Sequence, residues 1–285
     1  MRKVDLEQGS QAWLEWRRGR LTATDAPALM GVSPYCTPYK CYQRKLGLIP
    51  EQTKTQAMQR GIDDEPIARA LFNHRYGFDM SPCIIESELV NFMGASLDGI
   101  SECGKYLLEV KSNGEQYHGK AIPDLHLFQM QHQLLCTDTI AKICFYASYN
   151  SGELIVKEVK ADPQWMLDYL TKAKEFWKGI VFHEPPPLTN KDYKDMSESM
   201  TWGEKASYYM QINNDMKKLE YEKERIKKEL IDLAGQESSC GSGIKLLKKL
   251  VKGRVDYEAI PELATIDLDK YRRPASESWA IMLEK

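Results

Sequence analysis

Asp98, Glu109 and Lys111 are the residues of this chain whose types and spacing best suit chemistry. They fall in two apolar-rich stretches, Gly94-Ala95-Ser96-Leu97-Asp98-Gly99-Ile100 and Tyr106-Leu107-Leu108-Glu109-Val110-Lys111. A Gly-containing turn near Glu102-Cys103-Gly104-Lys105 joins them, which predicts a hairpin. On the second strand the period of two sends Leu108 and Val110 to one face and Glu109 and Lys111 to the other. Asp98, on the partner strand, reaches the same spot. A folding core avoids two carboxylates beside an ammonium, because buried charges are costly unless paired or bound to a cation. Phosphodiester hydrolysis has a use for them. Hard oxygens from Asp98, Glu109 and the Val110 carbonyl suit Mg2+, with Mn2+ as a substitute, and such a cation acidifies a water and offsets charge on the phosphate. Lys111 orients that water. Glu-x-Lys alone is also a common surface ion pair, so the surrounding segments must decide.

Four further segments carry a resemblance. They are Trp13-Leu14-Glu15-Trp16-Arg17-Arg18-Gly19-Arg20-Leu21-Thr22-Ala23-Thr24, Gly31-Val32-Ser33-Pro34-Tyr35, Arg60-Gly61-Ile62-Asp63-Asp64-Glu65-Pro66-Ile67-Ala68, and His126-Leu127-Phe128-Gln129-Met130-Gln131-His132-Gln133. In order and spacing, about the first 180 residues resemble the lambda-exonuclease-like, or YqaJ-type, phage recombination nucleases of the PD-(D/E)XK superfamily. The resemblance implies an α/β fold with a restriction-endonuclease-like core, a central mixed sheet flanked by helices. It implies that Glu65 joins Asp98, Glu109 and Lys111 beside the metals. It assigns Arg17, Thr24, Ser96 and Gln129 to a DNA-phosphate pocket, with Gln131 as a less certain neighbour of Gln129. Thr24 stands where the family usually has serine, and its hydroxyl preserves the donor. On a helix, Gln129 and Gln131 diverge by about two hundred degrees, so both cannot face one phosphate, and Gln129 is favoured. A basic residue usually follows the Glu-x-Lys strand; His118 and Lys120 both remain open.

The activity so implied is Mg2+-dependent 5′-to-3′ digestion of one strand of linear double-stranded DNA, leaving 3′ single-stranded tails for recombination. The implied partners are double-stranded DNA ends, a single-strand annealing protein and further copies of the chain, a trimer by resemblance. A PD-(D/E)XK endonuclease or other DNA-processing nuclease is the first alternative. Nucleases of CRISPR adaptation commonly carry a cysteine cluster, which the scattered Cys36, Cys41, Cys83, Cys103, Cys136, Cys144 and Cys240 do not form. The second alternative is a non-catalytic DNA-binding or annealing protein, which gains nothing from carboxylates facing phosphate.

Composition bounds these readings without choosing among them. A formal net charge of −2 does not announce a nucleic-acid binder, so DNA contact must come from local basic patches. The absence of a long apolar run predicts no membrane partner, and the N-terminal residues lack a signal-peptide pattern, which predicts a cytoplasmic location.

The positioning elements read as mixed helix and strand up to about Ile180. Asp162-Pro163 predicts a helix start, with Asp162 as N-cap and proline in the first turn. His183-Glu184-Pro185-Pro186-Pro187 then reads as a linker, dividing an exonuclease domain, 1–187, from a C-terminal extension, 188–285. In the extension, Ile212, Met216, Leu219, Ile226, Leu230 and Leu233 predict one long amphipathic helix from about Trp202 to Ala234, with a coiled-coil arm as one reading. A small basic hairpin is expected over 243–257, turning at Gly253. Its basic run is either a phosphate contact or a charged edge strand.

Overall fold

Six strands form one sheet in chain order: β1 (Arg2–Val4), β2 (Ser81–Glu86), β3 (Gly94–Ile100), β4 (Tyr106–Ser112), β5 (Ile143–Asn150) and β6 (Glu153–Lys160). This computed structural model describes residues 1–50, 55–249, 251 and 253. Neighbouring strands are antiparallel except β4 and β5, which run parallel from Tyr106↔Ile143 to Ser112↔Tyr149. Parallel neighbours cannot be joined by a tight turn, and helix α5 (Asp124–Cys136) lies in the crossover. The remaining helices of this unit are α1 (Gln11–Arg18), α2 (Ala26–Leu29), α3 (Pro38–Lys45), α4 (Gln56–Tyr76) and α6 (Pro163–Phe182). The expected mixed sheet flanked by helices is what the chain forms.

The alternation of apolar residues divides the core into two layers. Leu108 and Val110 of β4 join Ala147, Tyr149 and Leu154 against Ala68 and Phe72 of α4. Leu107 of the same strand points the other way, into a larger cluster with Leu97, Met130 and Leu134, closed by Tyr169 of α6. Each buried Leu, Val, Met or Phe among them contributes roughly 1.5–3 kcal/mol. Polar ties fix the layers against each other. The buried His132 ring of α5 bonds the Gly94 carbonyl (3.0 Å) and the Tyr169 hydroxyl (2.7 Å). Burial lowers its pKa to about 4, so the imidazole stays neutral. At Gly94 an added Cβ would lie 2.6 Å from the Trp16 ring, so glycine is what lets α1 lie on β3.

The helix ends follow the sequence. Ser10 accepts from the Trp13 N–H at the start of α1, and Thr55 from the Met58 N–H at the start of α4. Asp162 accepts from Gln164 and Trp165, with Pro163 in the first turn of α6 as expected. After the three prolines the chain makes a short 3-10 turn, Asn190–Asp192, and Asp192 accepts a bond from the Thr37 hydroxyl at the N-cap of α3. The compact first unit accordingly runs from Met1 to Tyr193, past Pro187, and the second begins at Lys194.

In the second unit, α7 (Met200–Leu233) is the single long helix that the periodicity predicted. A hairpin of β7 (Ser239–Gly241) and β8 (Ile244–Leu246) follows. Its turn is Ser242-Gly243, with φ of 48° and 81°, so it is centred before the hairpin expected over 243–257. Two left-handed residues match the twist of a two-residue hairpin loop. Of the turn expected at Gly253, Leu250, Lys252 and everything from Arg254 lie outside the described residues. Among the described residues no helix is long and apolar enough to cross a membrane.

Candidate active site

Strands β3 and β4 pair only at Gly99↔Leu108 and Ile100↔Leu107, although each is seven residues long. Beyond these pairs the strands part, and the fork between them holds the charged residues. The Val110 N–H has no partner carbonyl on β3; it donates to Asp98 Oδ2 at 2.8 Å. In an extended strand a residue's N–H and C=O face the same neighbour, so the Val110 carbonyl also lies on the Asp98 side. Glu109 is 1% exposed. One of its carboxylate oxygens is paired with the Lys111 ammonium, and the other accepts from Gln133 Nε2 at 2.6 Å. From the opposite layer, Arg69 of α4 donates to Glu65 and to the Asp98 carbonyl, both at 2.7 Å. Glu65, Asp98, Glu109 and Lys111 thus meet at one fork, drawn from one helix and two strands.

Charge in the fork is unbalanced. Burial, then the neighbouring Glu109 carboxylate, pushes the Asp98 carboxyl well above the usual carboxylate range, with Glu65 adding to this and Lys111 opposing it. Burial works against the charge of Lys111 as well, but Glu109 and Asp98 outweigh it and hold the ammonium above its ordinary value. Three carboxylates share the nearby cations Lys111 and Arg69, and Arg69 is engaged with Glu65. Among the described residues no group of three His, Cys, Asp or Glu side chains is arranged to hold a metal by itself. The oxygens that fit a hard divalent cation are the two carboxylates of Asp98 and Glu109 and the Val110 carbonyl, with water or phosphate oxygens completing its shell.

A second group adjoins the fork. Ser96 lies two residues before Asp98 on β3, and both are half-buried between buried neighbours. The Ser96 hydroxyl accepts from the Trp13 indole N–H at 3.0 Å, and the Arg17 guanidinium lies 4.5 Å over the Trp13 ring. Arg17 also donates to Thr24 Oγ1 at 2.8 Å. Behind it, Lys45 bridges the Arg17 carbonyl (2.8 Å) and the Asp25 carboxylate (2.6 Å). Burial would raise the Asp25 pKa, but Lys45, with help from Arg17, lowers it to about 2. Arg17, Thr24 and Ser96 are therefore gathered around Trp13, which the motif contains but the sequence reading gave no role.

The glutamines sort differently from expectation. The buried Gln131 does not face the fork. Its amide donates to the Lys160 carbonyl (2.7 Å) and accepts from the Asp162 N–H (2.8 Å), tying β6 to the start of α6. With both ends of its amide occupied there, Gln131 is a structural link. Gln133 is the glutamine that reaches Glu109, and the sequence reading passed over it. The signal was present: Gln133 lies four residues after Gln129, on the same helix face, by the same angular argument that separates Gln129 from Gln131. Gln129 is half-buried on that face.

Of the two basic residues left open after Lys111, His118 reaches Ser148, the β5 residue registered against Lys111, at 3.0 Å. It lies 3.5 Å from Glu153 of β6, while the Lys120 carbonyl accepts from Lys157. His126 bonds the Tyr146 hydroxyl at 3.1 Å. Burial, then Lys111, lowers the His126 pKa to about 3 and keeps it neutral.

Residues 12–139 match the YqaJ-like viral recombinase domain. Over 190 residues the chain is 26% identical to the uncharacterized protein YqaJ of Bacillus subtilis (strain 168), covering 64% of this chain. It spans about 59% of the length of that curated relative. Among solved structures it is similar to the alkaline exonuclease LHK-Exo from Laribacter hongkongensis, at a TM-score of 0.53 and 24% identity, over 61% of this chain and 94% of that one. LHK-Exo in complex with dAMP matches to the same extent, at a TM-score of 0.53 and 23% identity. The chain thus shares its fold with that alkaline exonuclease.

Proposed function

We propose that this chain, which carries a YqaJ-like viral recombinase domain, is a Mg2+-dependent exonuclease that digests one strand of linear double-stranded DNA. The observation that carries the reading is the fork between β3 and β4, where Asp98, Glu109 and Lys111 converge with Glu65 beside the Arg17–Thr24–Ser96 group. Asp98, Glu109 and the Val110 carbonyl would hold the cation. When bound, Mg2+ or Mn2+ supplies Lewis-acid polarisation of the phosphate and lowers the pKa of water. Lys111 brings positive charge to the scissile phosphate and orients the attacking water. Gln133 fixes one oxygen of Glu109, leaving the carboxylate in a single orientation, and Glu65 closes the site from α4. Arg17, Thr24 and Ser96 offer a planar guanidinium and two hydroxyls to a backbone phosphate.

The finer reading is 5′-to-3′ polarity. A terminal 5′ phosphate held at Arg17 sets the distance to the scissile bond, leaving 3′ single-stranded tails for recombination. DNA ends are the substrate, with a single-strand annealing protein and further copies of this chain, as a trimer, as partners in the bacterial cytoplasm. The test is digestion of end-labelled linear duplex beside closed circular DNA, with and without Mg2+. Loss of linear duplex alone, only with the cation and from the 5′ ends, is the expected result. Cutting of the circle at a comparable rate would replace the exonuclease reading with an endonuclease one.

A further inference from the structure

Helix α7 has 34 residues, about 51 Å of helix, and among the described residues none of its side chains is buried. Eight of its apolar residues nevertheless fall on a seven-residue repeat, while others, among them Tyr208, Met210, Tyr221 and Ile231, lie off it. Trp202, Tyr209, Met216, Lys223 and Leu230 occupy one position of it. Lys205, Ile212, Leu219, Ile226 and Leu233 occupy the position three residues on. Only the two lysines interrupt the stripe, and Met216, Leu219, Ile226 and Leu233 are 48–85% exposed. A helix packed on a globular core shows a broad face with a period of 3.6 residues. A narrow seam at 3.5 stays in register only when a second helix winds around it.

We propose that α7 pairs with α7 of a second copy of this chain as a parallel, in-register, two-stranded coiled coil. The charges flanking the seam select that partner and that direction. In a parallel pair Glu222 faces Lys227 of the second copy, which offsets the approach of Asp215 to Glu220. In an antiparallel pair centred on the stripe, Asp215 faces Glu222 at two levels with no attraction to offset it. The lone lysine inside the stronger half of the seam, Lys223, also meets its own copy only in the parallel register. Such a residue sets alignment at a cost in stability. The pairing is independent of the nuclease reading and would hold whatever the fork does. Beside the trimer proposed above, it joins copies that belong to different trimers, because a two-fold pair does not close within a three-fold ring.

Cysteine cross-linking of the full-length protein tests it. With oxidised glutathione, Met216→Cys, on the seam, should form covalent dimers about tenfold faster than Tyr221→Cys on the outer face, which carries the same native cysteines. Adding Leu219→Gln and Ile226→Gln to Met216→Cys should bring the rate down to that of the outer-face variant, with helix content by circular dichroism showing whether α7 still forms. Lys223→Ile should lower the dissociation concentration in sedimentation equilibrium. Equal cross-linking rates for the two cysteine variants would overturn the pairing, even if the protein is oligomeric through another surface. So would a mass showing three chains joined through α7, or no effect of Lys223→Ile.

Discussion

Lys111 and Glu109 share one ion pair, yet the two are not equivalent. Lys111 is 24% exposed at the mouth of the fork, while Glu109 is almost fully enclosed and anchored by Gln133. Lys111→Ala and Glu109→Ala should each lower the rate of hydrolysis by about a hundredfold or more, the scale of losing one group that stabilises the transition state. DNA binding measured in Ca2+ should survive better than cutting. Near-normal turnover by either purified, folded variant would remove these residues from the catalytic role. Glu109→Ala should also be the less stable of the two, since it leaves Lys111 and Gln133 without their acceptor. Arg17 has a separate test. Its planar fork makes bonds to phosphate that a lysine reproduces poorly. Wild type should digest 5′-phosphorylated duplex faster than 5′-hydroxyl duplex at fixed salt, and Arg17→Ala should lose most of that preference. Equal rates on the two substrates in wild type would refute a 5′-phosphate role for Arg17 while leaving the metal site untouched.

The elements around Arg17 are held by the Asp25–Lys45 pair, in which the side chains are 16% and 6% exposed. Asp25 has a folded pKa of about 2, below its ordinary value of 3.8. A depressed carboxylate pKa contributes stability above the unfolded value, and that contribution is lost as pH falls from about 4 towards 2. Asp25→Asn should therefore be less stable than wild type at pH 7 by roughly 2 kcal/mol, the energy equivalent of the shift. The gap should narrow in urea titrations as pH drops below 4. A gap of constant size between pH 7 and pH 3 would show that the pair does not behave as an ion pair. The short helices at Asp25 and Lys45 were not read from the sequence, whereas other elements were legible beforehand. The alternation in β4, the cap at Asp162 and the repeat in α7 are local properties of the chain, set by side-chain direction and backbone hydrogen bonding. The hairpin at Ser242-Gly243 was not anticipated, although Ser-Gly is itself a two-residue turn signal.

At the scale of the molecule, the first unit continues beyond the prolines to Tyr193 because Asp192 is bonded to Thr37 and caps its own turn through Thr189. A chain ending at Tyr193 should fold cooperatively, and one ending at Pro187 should be less stable by about 1 kcal/mol, the worth of a lost cap and its hydrogen bonds. Equal thermal midpoints for the two would show that the Asn190–Asp192 turn adds nothing to the first unit. The sequence by itself determined the strand-borne Asp98, Glu109 and Lys111 and the order of the motifs around them, because residue spacing within one strand or helix fixes which side chains share a face. It could not determine which glutamine serves Glu109, that Trp13 links Arg17 to Ser96, or that His118 bonds Ser148 while His126 bonds Tyr146. Those choices depend on how far β3 and β4 splay and on the rotation of α5 and α1 against the sheet. Such distances are set by packing between segments remote in sequence, and only the tertiary structure decides them.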